Sequence, residues 1–175
     1  MIVPLTDTEI EMCKHIGRQR VLYNEINGIA NTTVSAQGRT AMHELGVIGE
    51  YAFSKTFNVA IDLSLEPRPY DCIFNDRRCD IKTTDKRSGK LVCSTFDKDD
   101  VDIYVLCVVG PFHVELVGWC YSTDLRCKEN ITDLGYGEVY ALSQSQLRKF
   151  KQDLKDERLQ TTAEVPNATA ANAVR

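Results

Sequence analysis

Hydrophobic positions along the chain first repeat at helical spacing and then at strand spacing. Thr6-Asp7-Thr8-Glu9 is a capping box that opens a helix. Ile10, Cys13, Ile16, Ile26 and Ile29 follow, so helix is expected from about 7 to 26, closed by Asn27-Gly28. A polar link from Asn31 to Gly38 leads to a second helix over about 39–57, with a stripe of Leu45, Ile48, Ala52, Phe53 and Phe57. The period then drops to two. Val59–Leu65 reads as a strand or extended segment, and Pro67 and Pro69 bracket a bend. Tyr70–Phe74 and Arg78–Thr84 form a hairpin around Asn75-Asp76. Leu91–Phe96 is a further strand, and Asp102–Val109 with Phe112–Tyr121 a second hairpin around Gly110-Pro111. Ser122–Cys127 reads as a short helix, Glu138–Leu142 as a last strand and Ser143–Leu159 as a last helix. Residues 160–175 have no apolar period and are expected to be a disordered tail. Helices, then antiparallel strands, then a helix define an α/β (α+β) chain, with one domain over 1–159.

Composition narrows the class. The 175 residues are 43% hydrophobic and 26% charged, ordinary for a globular protein. No apolar run reaches the roughly 18 residues of a membrane span, and the N-terminus lacks the pattern of a signal peptide. The seven cysteines are odd in number, lie mostly in apolar runs and include no C-x-x-C pair. That favours reduced core thiols in a cytoplasmic protein over disulfides or a zinc site.

The first hairpin carries candidate chemistry. With a two-residue turn, alternation puts Tyr70, Cys72, Phe74, Cys79 and Ile81 on one face. Asp71, Ile73, Arg78, Asp80, Lys82 and Thr84 lie on the other. Asp71 would then oppose Asp80, with Cβ atoms about 4.5–5.5 Å apart, which is unfavourable unless something positive lies between. Lys82 supplies one charge, and a divalent cation would supply more. The plainer reading is a solvated face with two unrelated aspartates. Glu50 adds a third carboxylate, set amid the apolar residues of the second helix directly after Gly49 and four residues after Gly46. It either reaches solvent or pairs with a lysine, or it points at the same cation.

Taken together, Gly49-Glu50 on a helix, Tyr70-Asp71 on a strand and Asp80-Ile81-Lys82-Thr83-Thr84 on the next strand resemble the three motifs of the PD-(D/E)xK nuclease superfamily, in order. The resemblance covers about residues 40–125, and its overall flavour is that of small phage-encoded members. The family's Gln-x-x-x-Tyr motif follows the lysine strand in some members. Gln19 to Tyr23 precedes it here, so it takes no role. The resemblance implies a restriction-endonuclease-like core, a central mixed sheet flanked by helices. It also implies a metal-dependent nuclease hydrolysing phosphodiester bonds in DNA, a structure-selective or weakly sequence-specific endonuclease, with RNA as the alternative substrate. Asp71, Asp80 and the Ile81 carbonyl would ligate Mg²⁺ or Mn²⁺, with Glu50 ligating directly or through water. Lys82 would orient the attacking water or stabilise the transition state, and the products would be a 5′-phosphate and a 3′-hydroxyl. Arg77, Arg78, Lys86, Arg87 and Lys90 are candidate substrate contacts, and a homodimer would bring two sites to two strands. A phage-encoded member would act in the host cytoplasm. The rival reading is a catalytically inactive binding protein on the same fold.

Net charge is −4, which at first opposes a polyanionic substrate. Its distribution changes that: residues 77–90 hold six basic and two acidic side chains, a local balance of +4.

Overall fold

A computed structural model of the chain describes residues 1–29, 36–96, 100–135 and 137–150. The described residues are mixed α+β and form one five-stranded mixed sheet, a second three-stranded sheet and three α-helices. β1 (Ile2–Pro4) precedes α1 (Asp7–Ile26) and α2 (Ala36–Phe57). Then come β2 (Cys72–Phe74), β3 (Arg77–Thr84), β4 (Leu91–Ser94), β5 (Ile103–Val109) and β6 (His113–Tyr121). α3 (Ser122–Leu125), β7 (Ile131–Asp133) and β8 (Glu138–Leu142) complete the set. The five-stranded sheet runs β1-β6-β5-β3-β2, and the three-stranded sheet runs β4-β8-β7.

The expected capping box starts α1: Thr6 Oγ1 accepts the Glu9 N–H and the Glu9 carboxylate accepts the Thr6 N–H. α1 and α2 pack together and cover one face of the large sheet. Cys13, Val47, Ile48, Ala52 and Phe53 meet Cys79, Ile81, Val105 and Leu116 there. The opposite face of β5 and β6 is covered by the smaller sheet and α3. That core is formed by Tyr104, Leu106, Val117, Cys120, Leu91, Cys93, Leu125 and Leu142. Six of the seven thiols are free and buried, as core residues, and Cys127 is half-buried. Among the described residues no helix is long and apolar enough to cross a membrane.

Two glycines set the helix layer. A Cβ on Gly17 would lie 2.7 Å from the Glu44 Cα, backbone against backbone, so α1 crosses α2 there. A Cβ on Gly49 would fall on the Thr83 side chain, so Gly49 lets α2 close onto β3. Gly46 meets only the Glu50 side chain, so the close approach of α2 to β3 belongs to Gly49 alone. Gly17→Ala is expected to destabilise the fold by about 1–3 kcal/mol through overpacking, read as a lower urea midpoint with unchanged slope.

Three expectations change. Val59–Leu65 joins no ladder and forms no strand. β1 and β7 are three-residue strands, too short for a period to announce them. The last helix is not formed over 143–150. Ser143 does make a capping box with Gln146, but a single 3₁₀ turn follows and Leu147 turns extended, with ψ 142°. Arg148 then exchanges two backbone hydrogen bonds with Trp119, each 2.9 Å. Gly118 permits this, since a Cβ there would lie 2.6 Å from the Arg148 carbonyl oxygen. Both long helices therefore share one face of the sheet. The rest of that expected helix, 151–159, and the expected tail lie outside the described residues.

Candidate active site

The β2–β3 hairpin sets the site. Its register is the expected one: Phe74 pairs with Arg77, Ile73 with Arg78 and Cys72 with Cys79. Asn75 and Asp76 both take positive φ, 50° and 58°, the two-residue turn that matches strand twist and that Asn and Asp tolerate best after glycine.

Beyond Cys72 the ladder departs from strict alternation. The Asp71 N–H also turns onto the Cys79 carbonyl, at 2.8 Å, so Asp71 and Cys72 together stand opposite Cys79. This bulge takes Asp71 out of the direct cross-strand pair with Asp80. It brings the Asp71 carboxylate to the open edge of β3, where Oδ2 accepts the Ile81 N–H at 2.6 Å. A strand residue presents its N–H and C=O to the same edge, so the Ile81 carbonyl faces the edge that Asp71 occupies.

Asp80 and Lys82 lie on the face of β3 opposite the buried Cys79 and Ile81. Their ion pair is 2.8 Å long, and Lys82 Nζ lies 6.0 Å from the Tyr104 ring centroid. They line a cleft of about 460 Å³ with Pro67, Arg68, Pro69, Phe96, Val101 and Tyr104. Glu50 and Asp71 line a neighbouring cleft of about 210 Å³ that shares Pro67 and Arg68 with the first. Pro67 and Arg68 thus form a wall common to both clefts.

Glu50 is buried, 8% exposed, and it has a strong partner that the sequence did not announce. Arg20 Nη1 of α1 donates to both Glu50 oxygens, at 2.9 and 3.0 Å. The same guanidinium donates to the Asp62 carbonyl at 2.9 Å and the Ser64 carbonyl at 3.4 Å. Burial alone would lower the Arg20 pKa, but the Glu50 carboxylate, with Asp71 and Asp62 around it, raises it. Arg20 follows Gly17 by three residues and Cys13 by seven, so it continues the buried stripe of α1. A charge on that stripe was the available signal. His43 lines the Glu50 cleft, and burial with Arg20 nearby lowers its pKa.

Asp71 is the under-neutralised member. Its pKa is raised well above the usual carboxylate range, first by burial and then by the charges of Glu50 and Asp80; the Ile81 N–H and Lys82 offset only part of this. A carboxyl whose folded pKa is raised favours the metal-free fold in acid. That advantage is lost as pH climbs from the ordinary aspartate value of about 3.9 through the folded value. Asp71→Asn is therefore expected to stabilise the metal-free protein at neutral pH, with the gain shrinking toward acid. Thermal midpoints of both proteins across that range check it.

The candidate substrate contacts bracket Asp80 and Lys82 along β3. Arg77 stacks on Tyr121, 5.0 Å from the ring centroid. Arg78 is committed to Asp102, with 3.1 Å contacts to both carboxylate oxygens, and both pKa values move to favour the pair. Lys86, Arg87 and Lys90 are exposed on the turn after β3. Gln144 fastens that turn by donating to the Arg87 and Gly89 carbonyls.

Among the described residues, no three His, Cys, Asp or Glu side chains gather into a metal-binding cluster. The donors near Ile81 are two carboxylates and one carbonyl, Glu50 being taken by Arg20. This all-oxygen set still suits a hard cation such as Mg²⁺, which commonly takes one or two carboxylates and completes its shell with water and phosphate. No protein-family model, curated protein or solved structure matches the chain.

Proposed function

We propose that the protein is a metal-dependent nuclease of the PD-(D/E)xK type, with a restriction-endonuclease-like core, acting on phosphodiester bonds in DNA. The observation that carries this reading is the 2.6 Å bond from the Ile81 N–H to Asp71. It ties the acid of one strand to the middle of Asp80-Ile81-Lys82 on the next. Asp71, Asp80 and the Ile81 carbonyl would hold Mg²⁺ or Mn²⁺. Bound there, the cation would lower the pKa of a coordinated water and offset charge growing on the phosphate. Lys82, held by Asp80 and Tyr104, positions the attacking water and meets the new negative charge. Glu50 acts through Arg20, whose bonds to the Asp62 and Ser64 carbonyls hold the segment that lines the Asp71 cleft.

A second reading, a catalytically inactive binding module on this fold, draws on that same pair, because Arg20 occupies the third carboxylate. Incubating plasmid and single-stranded DNA with the protein and Mg²⁺ or Mn²⁺, against EDTA and Lys82→Ala, separates the two. Cleavage that needs both metal and Lys82 is expected. Absence of cleavage of DNA and RNA in every condition would leave the binding module.

A further inference from the structure

We propose that the Asp80–Lys82 cleft receives an unpaired nucleotide, its base stacked on Phe96, and so selects single-stranded over duplex DNA. As an account of substrate choice, this rests on the nuclease reading above.

Phe96 is 94% exposed, higher than any other large hydrophobic residue among the described residues, yet it lines the cleft that holds Asp80 and Lys82. A bare ring loses hydrophobic free energy in water, and burying it against a flat apolar partner regains it. Its backbone is fixed by a local bond, since Ser94 Oγ accepts the Phe96 N–H at 3.1 Å. Pro67 and Pro69 form other parts of the wall, and Tyr104, Asp80 and Lys82 line the same space. A cleft of about 460 Å³ lies within the size range of small-molecule sites, enough for a nucleotide but not for a duplex. A base has a π-face to lay on the ring only when it has left its stack.

The strand also has a way out. A second groove, about 740 Å³, shares Val101 with this cleft. Its walls carry Arg77 over Tyr121 and Arg126 over Tyr140, at 5.0 and 5.7 Å from the ring centroids. Stacking pre-orders both guanidiniums where a phosphate backbone leaving the Lys82 cleft would pass. Asp102 also lines the groove, but Arg78 holds it. Phosphates flanking the scissile bond would meet cations on this path, and the base beside it would meet Phe96.

The test is binding of a fluorescent oligothymidylate, and of a blunt duplex, followed by anisotropy in EDTA, where no cleavage interferes. Phe96→Ala is expected to weaken single-strand binding roughly 5- to 150-fold, the worth of one stacked base. Phe96→Trp should retain it, and duplex binding should be weaker and indifferent to both changes. Because Phe96 is exposed, the variants should melt like the wild type. Equal oligothymidylate binding by Phe96→Ala and wild type, or a preference for duplex, overturns the inference. Metal-dependent cleavage that persists alongside that result leaves the nuclease reading intact. Phe96-dependent binding with no cleavage in Mg²⁺ or Mn²⁺ ends the nuclease reading and keeps the strand-binding cleft.

Discussion

Replacing Arg20 with alanine is expected to cost about 3–5 kcal/mol of stability, the range for breaking a buried ion pair from one side. Arg20 and Glu50 side chains are 16% and 9% exposed, so solvent screens the ion pair little. Removing the guanidinium leaves Glu50 charged beside the already strained Asp71. It also frees the Asp62 and Ser64 carbonyls, whose bonds hold the 59–70 loop. Part of the loss arises from the stranded carboxylate, so Arg20→Met combined with Glu50→Gln should recover much of it. Urea melts of the single and double variants measure the coupling. A single variant within 1 kcal/mol of wild type would show that the pair is not a staple of the fold.

The second large effect falls on chemistry. Lys82→Ala is expected to reduce Mg²⁺-dependent cleavage by about 10²–10³-fold, the usual worth of one pre-aimed charge on a developing anion. Asp80→Asn should lower it at least as far, because a proposed metal ligand goes with it. Neither change should unfold the protein, since the Asp80–Lys82 pair is partly exposed, at 15% and 33%. The two variants differ without metal. Lys82→Ala leaves Asp80 and Asp71 to repel each other and should melt lower, whereas Asp80→Asn relieves that repulsion. Single-turnover cleavage rates with metal and thermal midpoints without it check both halves.

Much of the hairpin was legible because its determinants are local. A two-residue Asn-Asp turn fixes every pair after it, and Phe74–Arg77 through Cys72–Cys79 follow by arithmetic. Alternation then failed at one residue, Asp71, because periodicity carries no signal for a bulge. That slip matters: it turns two opposed aspartates into an acid lodged against the Ile81 amide. Arg20 was missed for a different reason. An arginine in a charged helix reads as solvent-facing unless its place on the stripe with Cys13 and Gly17 is weighed against its charge. The helix expected from Ser143 failed at long range. Its capping box formed, but Gly118 opened a backbone slot that Leu147 and Arg148 fill as extended chain. Local propensity was satisfied for one turn, and tertiary pairing took the rest.

The parallel pairing of β3 with β5 also sets an order in time. Asp71 and Ile81 are ten residues apart and joined within one hairpin, a unit that closes in microseconds. Tyr104 reaches Asp80 only after the chain from Asp85 to Asp102 has crossed over and laid β5 alongside β3. Such non-local pairing is slow because loop closure costs entropy before any contact offsets it. The acid-bearing half of the site can thus assemble early on a short ribbon, and its aromatic floor arrives with the completed sheet.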